Sequence, residues 1–154
     1  YEGSAVTFGA NPDTPFTGFK CASIKDVNDR VKNIMRVLQK GDVTDANELL
    51  VFPYRVEGQV EQGQRRGKAL GFPTANLGNV HTLIPHDGVY AGVATTASGS
   101  RYGAAIHVGK NLTFSAAEKT IEVHLLGFVG DLYGQLLQVE FFQRLRSTEK
   151  FCPR

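Results

Sequence analysis

After Pro53 the hydrophobic period of the chain changes from helical to alternating, and that change limits the fold more than any other feature of the sequence. Upstream, Val27, Val31, Ile34 and Leu38 recur at helical intervals, which predicts one apolar stripe on a helix of roughly four turns beginning near Ile24. Gly41 is a stop signal, Asp42 or Thr44 can cap a second short helix, and Ala46, Leu49 and Leu50 are available for its packing. Downstream, Tyr54, Val56, Gly58 and Val60 alternate with Arg55, Glu57 and Gln59, as in a half-buried strand. Gly88 to Ala94 and Tyr102 to Val108 flank the turn Ser98-Gly99-Ser100 and read as a hairpin. Ile121 to Leu126 and Leu136 to Phe142 read as another pair, joined through Gly127, Gly130-Asp131 and Gly134. Strands this short, punctuated by turn signals, predict a small closed or nearly closed antiparallel barrel.

The 154 residues, 42% hydrophobic and 21% charged, suit one main domain with a small appendage. The boundary is expected near residues 51–53. Segment 1–53 then holds an irregular lead-in, Tyr1 to about Lys20, and a helical connector; segment 54–154 holds the barrel. A formal net charge of +2, with both signs interspersed, does not demand a nucleic-acid partner. Cys21 and Cys152 lie far apart without C-x-x-C spacing, which argues against a zinc site or a disulfide scaffold and for a reducing compartment. Without a charged-then-apolar leader or a membrane-length apolar run, the expected location is cytoplasmic, and the sequon Asn111-Leu112-Thr113 is read as coincidence.

The richest chemistry lies in Gly67-Lys68-Ala69-Leu70-Gly71-Phe72-Pro73-Thr74-Ala75-Asn76-Leu77. Gly67 and Gly71 allow close backbone approach to a bulky anion, while Pro73 fixes its own φ and extends Phe72. Just upstream, Gly63-Gln64-Arg65-Arg66-Gly67-Lys68 interleaves glycines with cations, so backbone N–H groups and side chains could wrap a polyphosphate. The bland alternative is a solvated basic turn, and the loop is not a Walker A. Thr74 and Asn76, spaced i, i+2, would share one strand face and could offer two oxygens to a hard cation such as Mg²⁺; Thr is equally an ordinary strand residue and Asn a turn residue. In Ile121-Glu122-Val123-His124-Leu125, Glu122 and His124 share the face opposite the apolar one. Glu122 there is a candidate proton acceptor for a substrate hydroxyl, or simply solvent-facing. His81, His86 and His107 read as surface or turn histidines. Tyr133 sits in the turn Asp131-Leu132-Tyr133-Gly134, and Arg146 and Phe151 could hold a flat heteroaromatic ligand; both segments are equally readable as simply structural.

Gly58-Gln59-Val60, Arg66-Gly67 and Leu70 through Leu77 together resemble the signature of riboflavin kinases. Asp87-Gly88-Val89-Tyr90-Ala91, Val108-Gly109-Lys110-Asn111-Leu112-Thr113-Phe114, Ile121-Glu122-Val123-His124, Asp131-Leu132-Tyr133-Gly134 and Leu145-Arg146 to Lys150-Phe151 follow in the family order. The resemblance, over about residues 54 to 151, implies a mainly β fold, a six-stranded Greek-key barrel. It implies transfer of the γ-phosphate of ATP to the 5′-hydroxyl of riboflavin, giving FMN. Carried over, Thr74 and Asn76 would hold Mg²⁺ and phosphate, and Glu122 would be the base. The nucleotide would lie under the loop from Gly63 to Gly71, with Arg66, Gly67, Lys68, Phe72 and Pro73 contributing; Tyr133 and Phe151 would add aromatic contacts and Arg146 would lie on the flavin side.

Gly41-Asp42-Val43 and Ala46-Asn47-Glu48-Leu49-Leu50 resemble the connector ahead of the kinase in bacterial bifunctional FAD synthetases. The hydroxyl-rich motif upstream of that connector is replaced by Arg30-Val31-Lys32-Asn33-Ile34-Met35, so FMN adenylylation is expected to be missing. The family pattern is also broken at Leu112, at Gly127 and by the end at Arg154, where relatives continue into a helix. The competing expectations are a catalytically weak flavin- or nucleotide-binding module, a fragment of a bifunctional FAD synthetase, and, least favoured, a barrel for single-stranded nucleic acid.

Overall fold

The period change at Pro53 corresponds to a change from helix to sheet in the computed structural model, which describes residues 23–62, 73–110 and 119–148. Two helices, α1 (Ile24–Lys40) and α2 (Val43–Leu50), precede the strands β1 (Tyr54–Glu61), β2 (Ala75–Gly78), β3 (Gly88–Thr96), β4 (Arg101–Lys110), β5 (Lys119–Leu125) and β6 (Leu136–Arg146). The six strands close into an antiparallel barrel in the order β1-β2-β5-β4-β3-β6, and β6 returns to pair with β1. The lead-in Tyr1 to Lys20, both cysteines and the sequon lie outside the described residues.

Period-two patterning fills the barrel. Val56, Val60, Leu77, Tyr90, Ala94, Ile106, Val108, Ile121, Val123, Leu137, Val139 and Phe141 are buried inward, and Tyr90 meets Phe141 edge-on at 5.3 Å. At Gly92 an added Cβ would stand 2.0 Å from the Glu140 carbonyl oxygen, so β3 approaches β6 more closely there than a side chain allows. β6 carries two extra residues against β3, Phe142 and Leu145, at the two register shifts. The β3–β4 hairpin forms as expected, but the β5–β6 pairing does not. β5 lies between β2 and β4, and β6 between β1 and β3. The segment between β5 and β6 is a crossing connection, and local turn signals do not distinguish that from a hairpin.

The helical stripe is only partly used. Val37 and Leu38 are buried and Ile34 packs on the core, whereas Val27 and Val31 remain 50% and 49% exposed. The barrel meets only the C-terminal end of α1. There Gly41, at φ 86°, ends the helix, His86 N–H donates to Leu38 O at 3.0 Å, and Arg144 Nη1 donates to Lys40 O at 3.5 Å. A cation at a helix C-terminus also meets the favourable end of the helix dipole. Asp42 occupies the α2 cap position without a side-chain capping bond. Asn47 fastens α2 to the barrel from both ends of its amide: Oδ1 accepts from Tyr54 N–H at 2.6 Å, and Nδ2 donates to Phe141 O at 2.8 Å. Among the described residues, no helix is long and apolar enough to cross a membrane.

Asn47→Ala leaves those two partly buried backbone groups without partners, and should lower unfolding stability by about 1–3 kcal/mol, read as a shifted urea midpoint. Burial pushes the Tyr54 and Tyr90 phenols above their ordinary value. Because their folded-state pKa lies above the unfolded one, the associated stability is complete below about pH 10 and is lost as pH rises beyond it. A melting-temperature profile should therefore fall at alkaline pH, and less steeply in Tyr54→Phe, whose ring still packs against Phe141.

Candidate functional site

Barrel register assembles the site from strands distant in sequence. Asn76 on β2 lies directly opposite Glu122 on β5, and Glu122 directly opposite His107 on β4. The row continues from Asn76 to Glu61 on β1, and from His107 through Val89 on β3 to Arg146 on β6. Directly opposed residues have Cβ atoms about 4.5–5.5 Å apart. Flanking residues Ala75, Leu77, Ile121, Val123, Ile106 and Val108 are buried, so Asn76, Glu122 and His107 share the outer face, where all three are half-buried. Among the described residues, the side chains of Thr74, Asn76, Glu122 and His107 have no hydrogen-bond partner.

His124 lies on the same face as Glu122, one pleat further along β5. Its ring Nδ1 lies 2.9 Å from the Pro73 carbonyl oxygen and, since that oxygen only accepts, carries the donated proton. The bond holds Pro73-Thr74 as the chain enters β2. Thr74 itself stands just before the strand and lines a cleft of about 550 Å³, together with Val60, Phe128, Val129, Leu132 and Tyr133. The cleft wall is braced: Tyr133 N–H donates to Asp131 Oδ1 at 2.9 Å, Gly134 N–H donates to Val60 O at 2.9 Å, and Phe128 meets Tyr102 edge-on at 5.3 Å. The largely apolar cleft thus carries the Thr74 hydroxyl in its wall, and Asn76, two residues further on, begins the outer row with Glu122.

Among the expected site residues, Pro73, Thr74, Asn76, Glu122 and Tyr133 gather around the cleft and the outer row. Arg146 sits three strands from Glu122, about 14 Å around the wall. Gly63, Arg66, Gly67, Lys68, Gly71, Phe72 and Phe151 lie outside the described residues. Sequence reasoning did not find Val60, Phe128, Val129 and Leu132 as cleft residues, because apolar side chains around a turn carry no local signal of a cavity. It also set His107 aside as a surface residue, since its pairing with Glu122 exists only in the sheet. Among the described residues no group of His, Cys, Asp and Glu could hold a metal.

The riboflavin kinase (flavokinase) family pattern matches residues 50–153, and the chain belongs to that family. It is 36% identical over 140 residues to the bifunctional riboflavin kinase/FMN adenylyltransferase of Bacillus subtilis, covering 85% of this chain and 44% of that protein. The Listeria monocytogenes protein of the same description is 38% identical over 121 residues, covering 77% of this chain and 38% of its own length. The chain therefore spans about two fifths of the curated relatives it matches. A crystal structure described as a macrolide-efflux protein from Streptococcus pneumoniae superposes with a TM-score of 0.72 at 35% identity, covering 78% of this chain and 40% of that one.

Replacing His124 by Ala should release Pro73-Thr74 from β5. The expected result is faster amide hydrogen exchange at Thr74 and Ala75 with protection of β3 and β4 unchanged, measured by exchange mass spectrometry or NMR.

Proposed function

We propose that this chain is an ATP:riboflavin 5′-phosphotransferase, and that Glu122 is the general base. The observation that carries the reading is the opposition of Asn76 and Glu122 across β2–β5, with Thr74 at the mouth of the adjacent cleft. Phosphoryl transfer needs chiefly alignment and charge neutralisation, so two neutral oxygens, a carboxylate and a slot for a flat ring are adequate equipment. The adenine of ATP suits the slot beside Phe128, Leu132 and Tyr133, with the polyphosphate then running toward Thr74 and Asn76.

Hard oxygen donors without hydrogen-bond partners among the described residues fit Mg²⁺, which keeps several waters and phosphate oxygens and takes one or two protein ligands. Bound there by Thr74 and Asn76, the ion would neutralise charge on the polyphosphate. Glu122 accepts the proton of the riboflavin 5′-hydroxyl as that oxygen attacks the γ-phosphorus, and the β–γ bridging oxygen leaves with ADP. Arg146, on the far side of the row, suits the flavin ring. The loop 63–72 and Phe151 keep their expected nucleotide and ring contacts as part of the proposal. The strand region from residue 54 would be the kinase unit and the helices before it a connector. Adenylylation of FMN is expected to be missing, because Arg30-Val31-Lys32-Asn33-Ile34-Met35 stands where the bifunctional enzymes carry a hydroxyl-rich motif.

Purified protein supplied with riboflavin and MgATP should form FMN and no FAD, with turnover abolished when Mg²⁺ is chelated. Glu122→Gln keeps the shape of the side chain and should lower kcat by about 10²–10⁴-fold with little change in the KM values. Unchanged turnover in that variant contradicts the assigned base. Tight flavin binding without any turnover in the wild type selects a binding module instead.

A further inference from the structure

Glu122 has a neighbour on each side. On one stands Asn76, with Thr74 and the cleft beyond; on the other stands His107. The His107 ring is not splayed into solvent. It lies back over Gly109, where an added Cβ would come 2.8 Å from ring Cε1 and 3.2 Å from Nε2. Gly109 is itself buried, so the missing side chain makes the bed on which the imidazole rests. Held there, His107 has no hydrogen-bond or ion-pair partner among the described residues. A half-buried, positioned imidazole with free donor and acceptor capacity, one strand from a carboxylate, is equipped to bind a ligand's polar groups.

In-line geometry says which ligand. The transferred phosphoryl group approaches Glu122 from the Thr74 and Asn76 side, so the attacking alcohol must extend away from it on the opposite side. Neighbouring strands are about 4.8 Å apart, so the first atoms beyond the attacking hydroxyl pass over β4, at His107. For riboflavin those atoms are the hydroxyl-bearing carbons of the ribityl chain. The ring would lie further on, toward Val89 and Arg146. From this geometry we infer that His107 is a specificity-determining residue that hydrogen-bonds the secondary hydroxyls of the acceptor's polyol chain and holds its terminal hydroxyl at Glu122. The inference rests on the kinase reading above and adds to it a residue that reads the polyol.

The test compares riboflavin with a flavin carrying a 5-hydroxypentyl chain, which keeps the terminal alcohol and lacks the secondary hydroxyls. Wild type should prefer riboflavin in kcat/KM by about tenfold or more, the effect of one or two hydrogen bonds. His107→Ala should lower kcat/KM for riboflavin while leaving the hydroxypentyl flavin nearly unaffected, so that the preference collapses. Gly109→Ala, which displaces the ring without removing it, should reduce the preference in the same direction. His107→Gln, which retains a donor and an acceptor, should restore part of it and serves as the folded control if the alanine variant is unstable. An equal loss on both flavins, or a preference that survives His107→Ala in folded protein, overturns the inference while leaving the kinase reading intact. Absence of turnover by wild type with either flavin overturns the kinase reading itself.

Discussion

The pairing of β1 with β6, from Tyr54 opposite Phe141 to Gln59 opposite Leu136, closes the sheet, and the rest of the structure depends on that closure. An open sheet would leave β1 and β6 as edges with unpaired backbone groups. Closure also sets which residues share a level on the wall. β2 is only Ala75–Gly78, and it holds its place by pairing with β1 on one side and β5 on the other. That double pairing brings Asn76 between Glu61 and Glu122, and the run of polar residues at that level is continuous from β1 to His107 on β4.

Within the barrel, large inward side chains and missing ones are complementary. Tyr90, Phe141 and Ile106 fill the interior, while Gly92 admits the close approach of β3 to β6. Where the two extra residues enter β6, the strand can no longer keep one face inward throughout, and Phe142 and Leu145 are partly or largely exposed. This end of β6 also carries Arg144 and Arg146. Arg144 Nη2 donates to Asp87 O at 2.6 Å and lies 3.1 Å from His86 Nδ1, while Nη1 reaches the end of α1. Its Nε is buried without a hydrogen-bond partner among the described residues, near Gly41, Gly88 and Tyr90. The helices are thus joined to the strand that ends in Arg146 and to the loop that leads into β3. The similarity to the Bacillus protein covers more of the chain than residues 50–153, and so extends into these helices.

Much of the fold was legible in the sequence because it is written in local periods. Val56, Gly58 and Val60 are buried and their neighbours exposed, as alternation required. Gly41 ends α1, and Ser98-Gly99-Ser100 turns the chain between β3 and β4. The mistaken pairing of β5 with β6 shows the limit of that reasoning, since a Greek-key crossing and a hairpin use the same turn residues. Part of the site was legible too. Thr74 and Asn76 stood out as short oxygen-bearing side chains just after Gly71 and Pro73, and Glu122 as a carboxylate on the face opposite an apolar one.

By itself the sequence determined where helix gives way to sheet, which face of each strand is apolar and which side chains are candidates to bring chemistry. All three depend on spacing within a few residues, where backbone geometry is nearly fixed. Only the tertiary structure decided that Asn76, Glu122 and His107 stand side by side, and that Phe128, Leu132 and Tyr133 wall a cleft reaching Thr74. Neighbours across strands depend on register and strand order. Closure of the whole barrel fixes both, because a slip of one residue in any strand would turn its apolar face outward.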